Sequence, residues 1–111
     1  MRDVNEAMAY LDSKIRDPHG GISCYHLKAE LLFIIGKRKE AEKVIEDLAR
    51  RWEGDRKRAY QTMSTHMLYR KEYQGSLFFM KKIIEEFPQD QVLQQKLSII
   101  NNAIENEEIN L

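Results

Sequence analysis

The three histidines and the single cysteine of the chain, His19, His26, His66 and Cys24, are of types that carry nucleophilic or metal chemistry. A cysteine–histidine pair works as a nucleophile when the two side chains converge and a third group orients the base. His19, Cys24 and His26 lie close in sequence, while His66 is distant. Cys24 falls near an expected helix start. The commoner role for such a cysteine is a small packed side chain. The same residues match no standard zinc spacing. His26 and Glu30 stand one helical turn apart but lack the paired histidines of a metalloprotease helix. There is no glycine-rich phosphate loop. No catalytic residue, metal or cofactor is therefore assigned, and a non-enzymatic protein is expected.

A second cluster is electrostatic. Arg50, Arg51, Arg56, Lys57 and Arg58 flank the turn Trp52-Glu53-Gly54-Asp55. Five cations beside one aromatic form a candidate anion patch for phosphates, RNA or an acidic peptide, with Trp52 available to stack on a base. Against this, Arg50 and Arg51 sit where cations complement the end of a helix, and Trp52 suits a seam between helices. Lysine plus arginine and aspartate plus glutamate both total 18 in 111 residues, so the net charge is zero. That balance disfavours a nucleic-acid binder overall.

The elements that must position these residues are helical. A hydrophobic fraction of 42% supplies a core for one domain. A single cysteine excludes an internal disulfide. No apolar run has the length of a membrane span or a signal core, so a cytoplasmic location is expected. Only 5 glycines and 2 prolines occur. They mark breaks at Asp17–Gly21, at Gly36-Lys37-Arg38, at Glu53-Gly54-Asp55 and at Pro88-Gln89-Asp90, and Arg70-Lys71-Glu72 is a polar turn without glycine. Between breaks, apolar residues recur at steps of three and four. Met8, Leu11 and Ile15 define a lone helix over 3–16, with Asp3 and Glu6 in the pattern of a capping box. Tyr25, Ala29, Leu32 and Phe33 define the next helix, and Ala41, Val44, Ile45 and Leu48 the third. The fourth has Tyr60, Met63, Met67 and Leu68, and the fifth Leu77, Met80, Ile83, Ile84 and Phe87. A sixth covers 90–104, with Asp90 as N-cap and a wide apolar arc of Val92, Leu93, Leu97, Ile99, Ile100 and Ile104. No polar capping helix is evident at its end. The segment 105–111 reads as a polar, fraying tail.

Ala7, Ala41 and Ser76 sit 34 and 35 residues apart, each a small residue near the start of every second helix. Small side chains there let helix backbones approach closely. A helix–turn–helix period of this length resembles the tetratricopeptide repeat. Tyr25, Ala29 and Leu32 look like that family's first-helix positions, with Lys28 departing where Leu is usual. Ala41 and Ile45 match its second helix, and Glu53 stands in place of the closing proline. The next copy reads Tyr60, Met63-Ser64, Met67, then Ser76, Met80 and Pro88. The resemblance covers residues 4 to 104 as a half, two copies over 22–54 and 56–88, and a half. It implies an all-α fold, a single domain of about six antiparallel helices in a right-handed superhelical stack.

The resemblance further implies an adaptor, scaffold or chaperone-type role, with a protein or peptide ligand along a concave face built from first helices. That face takes Ser23, His26, Glu30, Phe33 and Ile34 from the first copy. Arg58, Gln61, Thr65, Leu68 and Tyr69 come from the second, and Val92, Gln95, Ile99 and Asn102 from the sixth helix. Phe33, Ile34 and Leu68 serve equally well as core. Some members of the family grip a C-terminal carboxylate with lysine and asparagine side chains. The matching positions here hold His26, Glu30, Thr62 and Lys96, so Glu30 has the wrong charge and the asparagines are absent. Two further readings stand beside the groove: polyanion binding through the basic turn 50–58, and self-assembly with the sixth helix of one copy in the groove of another.

Overall fold

A computed structural model of the chain describes residues 2–16 and 21–109, with side chains over 3–16 and 21–107. Among the described residues all regular structure is helical. The six helices are α1 (Arg2–Arg16), α2 (Ile22–Ile34), α3 (Arg38–Arg51), α4 (Arg56–Tyr69), α5 (Tyr73–Glu86) and α6 (Gln91–Ile109). The all-α fold expected from the periodicity is therefore present. Residues 17–20 of the first expected break lie outside the described residues, and Gly21, its last residue, is the N-cap of α2. The tertiary contacts divide the chain into two units, Met1–Asp55 and Arg56–Leu111, and the division falls between the two expected repeats.

In the first unit, α3 shows why these segments are helices that bury one face. Ala41, Val44, Ile45, Leu48 and Ala49 are all buried, and the intervening positions are mostly charged. Tyr25, Ala29 and Leu32 of α2 complete that core. Removing each large apolar side chain from water contributes about 1.5–3 kcal/mol. Helices α2 and α3 run antiparallel: Arg38 lies over the Phe33 ring at 4.8 Å and Arg51 over the Tyr25 ring at 5.6 Å. Lys28, the departure from the family pattern, reaches Asp12 of α1 at 2.5 Å. Asp3 stands inside the first turn of α1, where its charge favours the helix dipole.

In the second unit, three contacts fix α4 and α5 as an antiparallel hairpin. Arg56 pairs with Glu86, the Tyr60 and Phe79 rings are 6.1 Å apart, and Ser64 bonds to Ser76. Lys57 meets Asp90 and Gln61 meets Lys96, so α6 runs parallel to α4 and packs on α5. Asp90 caps α6 as expected, accepting from the Leu93 N–H at 3.1 Å. Its second oxygen pairs with the Lys57 ammonium at 2.5 Å. These two hydrogen bonds, the Lys57 one above all, hold the Asp90 carboxyl below its usual range.

The turns repeat as well. After α2, the Lys37 N–H bonds to the Leu32 carbonyl at 2.8 Å and Gly36 has φ +90°. After α4, the Glu72 N–H bonds to the Met67 carbonyl at 2.9 Å and Lys71 has φ +62°. Both are left-handed helix stops of the Schellman kind, one with glycine and one without.

Helix α6 differs from the expectation in two respects. It continues through Ile109, so residues 105–109 are helical and not a separate tail. No glycine or proline follows Pro88, and extending an existing helix is favourable once it is nucleated. Its apolar arc is also divided. Leu93 and Ile100 are buried, while Val92 and Ile99 are exposed. Gln94, Ser98 and Asn101 form a third, exposed strip. They stand 34 positions after Tyr60, Ser64 and Met67, all buried in α4. The helix therefore does carry a polar face in the register where α4 carries core, as repeat arrays place polar residues on an outer surface.

Candidate functional site

Within the second unit, α4 and α6 flank an open cleft of about 380 Å³. Thr65, Leu68 and Tyr69 line it from α4, and Lys96, Ile99 and Ile100 from α6. Met80 of α5 and Ser64 lie at its base, both buried. Helical spacing explains the convergence. Residues 65, 68 and 69 share one face of α4, and residues 96, 99 and 100 share one face of α6. The two helices are held in register by the Lys96 ammonium, which donates to the Gln61 side-chain oxygen at 2.6 Å. Tyr69 is 83% exposed and Ile99 57%. Two large apolar side chains are thus left in solvent at the rim of the cleft.

Four residues expected on the concave face thus meet here: Thr65, Leu68, Tyr69 and Ile99. Gln61 borders them through Lys96. Gln95, Val92 and Asn102 are exposed on α6 but do not line the cleft. Leu68 is half-buried, so it serves core and cleft together. Met80, Ser64 and Ile100 belong to the lining although the sequence reading omits them, and Lys96, named there only at a carboxylate-gripping position, joins them. Lys96 is one turn from Ile99 and Ile100, and that spacing was the available signal.

The first-copy positions are set differently within their own unit. Glu30 is buried, at 4% exposure, so its carboxylate is not presented to a ligand. His26 is half-buried and engaged within the protein. Phe33 is half-buried beneath the Arg38 guanidinium. Ile34 is exposed and Ser23 is exposed near the start of α2. A separate cleft of about 580 Å³ lies elsewhere in this unit, between α1, α2 and α3. Its charged lining mixes Asp12, Glu40 and Asp47 with Lys28 and Lys43, and Lys28 is already paired with Asp12.

The basic turn is largely committed to intramolecular contacts. Arg50 pairs with Asp47 at 2.5 Å, and Arg51 lies over Tyr25. Arg56 pairs with Glu86 and lies over the Tyr60 ring at 5.4 Å. Lys57 pairs with Asp90 and lies 4.4 Å from the Phe87 centroid. Arg58 is exposed and also engaged within the protein. Carboxylate partners lower the local positive potential that a polyanion would meet. Trp52 is half-buried at the C-cap of α3.

Cys24 is a free, half-buried thiol in the first turn of α2. His66 is on α4, and His19 lies outside the described residues. Among the described residues no three histidine, cysteine or acidic side chains are grouped to hold a metal ion. No helix there is long and apolar enough to cross a membrane.

Comparison with known proteins gives no matching family model, no matching curated protein and no matching solved structure.

Proposed function

We propose that this chain is a cytoplasmic, non-enzymatic interaction module of tetratricopeptide type that holds a segment of another protein in the α4–α6 cleft. The observation that carries this reading is the exposed Tyr69 and Ile99 pair flanking an apolar cleft whose walls are two helices in fixed register. A shallow apolar trough between helices, with polar atoms at its edge, accepts an amphipathic helix or an extended peptide. The resemblance to the tetratricopeptide repeat supports an adaptor, scaffold or chaperone-type role for such a surface.

The test is a nuclease-treated pull-down comparing the wild type with Tyr69→Glu, and with Asn101→Asp on the far strip of α6. Tyr69 is so exposed that its replacement alters stability by no more than about 0.5 kcal/mol. A protein retained by the wild type and Asn101→Asp, and lost with Tyr69→Glu, supports the cleft. Equal retention by all three places binding elsewhere. Loss of every captured protein on nuclease treatment favours the basic turn instead.

A further inference from the structure

The turn between α2 and α3 holds its cations differently from the basic turn 50–58. Lys37, Arg38 and Lys39 follow Gly36 in succession, and all three are exposed. In the turn 50–58 every cation is engaged within the protein. Here Arg38 lies over the Phe33 ring at 4.8 Å. Among the described residues the ammonium groups of Lys37 and Lys39 have no ion-pair partner. A single acid, Glu40, follows in the first turn of α3. The left-handed Gly36, at φ +90°, reverses the chain. It brings Ile34, the last residue of α2, to the same end of the hairpin as the lysines. The Lys37 N–H bond to the Leu32 carbonyl, at 2.8 Å, and the Arg38 contact with Phe33 hold the two sides together. Ile34 is 55% exposed.

An exposed aliphatic side chain beside unpaired ammonium groups suits the boundary of a lipid bilayer. The apolar group enters the headgroup region, and the cations meet anionic headgroups. A single-stranded nucleic acid calls instead for an exposed ring on which bases stack. The ring at this turn, Phe33, is half-buried beneath Arg38. We propose that the α2–α3 turn is a peripheral contact with a membrane surface bearing anionic lipids, with Lys37 and Lys39 against the headgroups and Ile34 inserted shallowly. Two lysines and one aliphatic side chain give a weak, reversible attachment. The net charge of the chain is zero, so the placement of these charges, and not their total, drives the attraction. The contact is separate from the α4–α6 cleft and does not depend on it.

The experiment is co-sedimentation with vesicles of phosphatidylcholine alone and of phosphatidylcholine with one-third phosphatidylserine. Each cation at an anionic surface is worth about fivefold in binding. Wild type is expected to favour the anionic vesicles about tenfold or more at low salt, less at high salt. Lys37→Ser with Lys39→Ser should remove most of that preference. Ile34→Ser should weaken binding to the anionic vesicles severalfold. Arg50→Ser with Lys81→Ser, which removes the same charge at other exposed positions, should stay within about twofold of wild type. Thermal melts confirm that each variant is folded. Equal binding of wild type to both vesicles, or to neither, overturns the proposal. So does an equal loss in the charge-matched control, which makes the attraction one of net charge. Binding that ignores Ile34→Ser overturns the lipid contact as well. A polyuridylate oligonucleotide that wild type binds in place of the vesicles, and that the double lysine variant releases, assigns the turn to nucleic acid and has the same effect.

Discussion

Ser64 and Ser76 bind each other across the α4–α5 hairpin, each hydroxyl donating to the other residue's backbone carbonyl at 2.8 Å. Their oxygens are 3.0 Å apart and both residues are fully buried. Such contact requires close backbones, which only small side chains allow. The first unit places Ala29 and Ala41 at the equivalent positions, and both have no exposure. Ser64→Ala and Ser76→Ala singly should each lower stability by about 0.5–1 kcal/mol. The double variant should cost less than the sum, since it reproduces the alanine pair of the first unit. Ser76→Leu should cost about 1–3 kcal/mol by forcing the helices apart. Urea unfolding midpoints of the four variants check these values. An additive double variant would show that the two hydroxyls act independently.

The two helix stops respond in opposite directions to substitution. Gly36 has φ +90° and a Cβ there would meet no atom within 4 Å. Gly36→Ala should therefore destabilise through backbone conformation alone, by about 1 kcal/mol. Lys71 holds the same left-handed conformation with a side chain attached. Lys71→Gly should stabilise by up to about 1 kcal/mol. Thermal melts of the two variants give the signs directly.

Acid sensitivity should concentrate at Asp90. Its folded pKa is lowered, chiefly by the hydrogen bond from Lys57 and then by that from the Leu93 N–H. Between the unfolded value, about 3.9, and the lower folded one, the unfolded chain binds more protons, so stability rises with pH. The contribution is complete above the unfolded value and disappears as pH falls through the folded value. Asp90→Asn keeps an N-cap oxygen but loses the charge. Wild type should thus exceed Asp90→Asn in stability at pH 7, with the difference narrowing toward pH 3. Urea midpoints at both pH values test this, and a constant gap would refute it.

Removing the salt partners of the basic turn should affect folding more than binding. Arg56 and Lys57 each join an acidic residue and an aromatic ring within the second unit. Arg56→Ser with Lys57→Ser is expected to lower the melting temperature of the chain by a few degrees. Arg50→Ser, at an exposed pair, should leave it within about 1 °C. Differential scanning fluorimetry distinguishes the two.

The sequence made the helices legible because their apolar steps are regular. Tyr25, Ala29 and Leu32, or Tyr60, Met63 and Met67, are all core as their spacing required. Small residues at Ala41 and Ser76 likewise indicated close helix contact, while Ala7, the third of that series, is exposed. Periodicity did not distinguish Val92 and Ile99 from Leu93 and Ile100, because all four are apolar within two turns of α6. Only the position of α5 decides which pair is covered. Glu30 was unreadable for the converse reason: its type favours solvent, while its register places it in the interior. Lys96 counted as a charge at a family position, and its role beside the cleft depends on Gln61, 35 residues earlier. The length of α6 was missed because polar composition is not a helix stop without glycine or proline.

The reach of the side-chain links bears on how the chain acquires its structure. Ser64 and Ser76 are 12 positions apart, Lys57 and Asp90 33, and Gln61 and Lys96 35. Closing such short loops costs little more entropy than forming the hairpin itself, and chains dominated by near neighbours fold in microseconds to milliseconds. During synthesis, α4 and α5 can zip together as soon as Glu86 has emerged, with α6 added afterwards on a surface already formed. The walls of the cleft are thus the product of consecutive local events, and the last of them, docking of α6 with Lys96 against Gln61, completes the cleft.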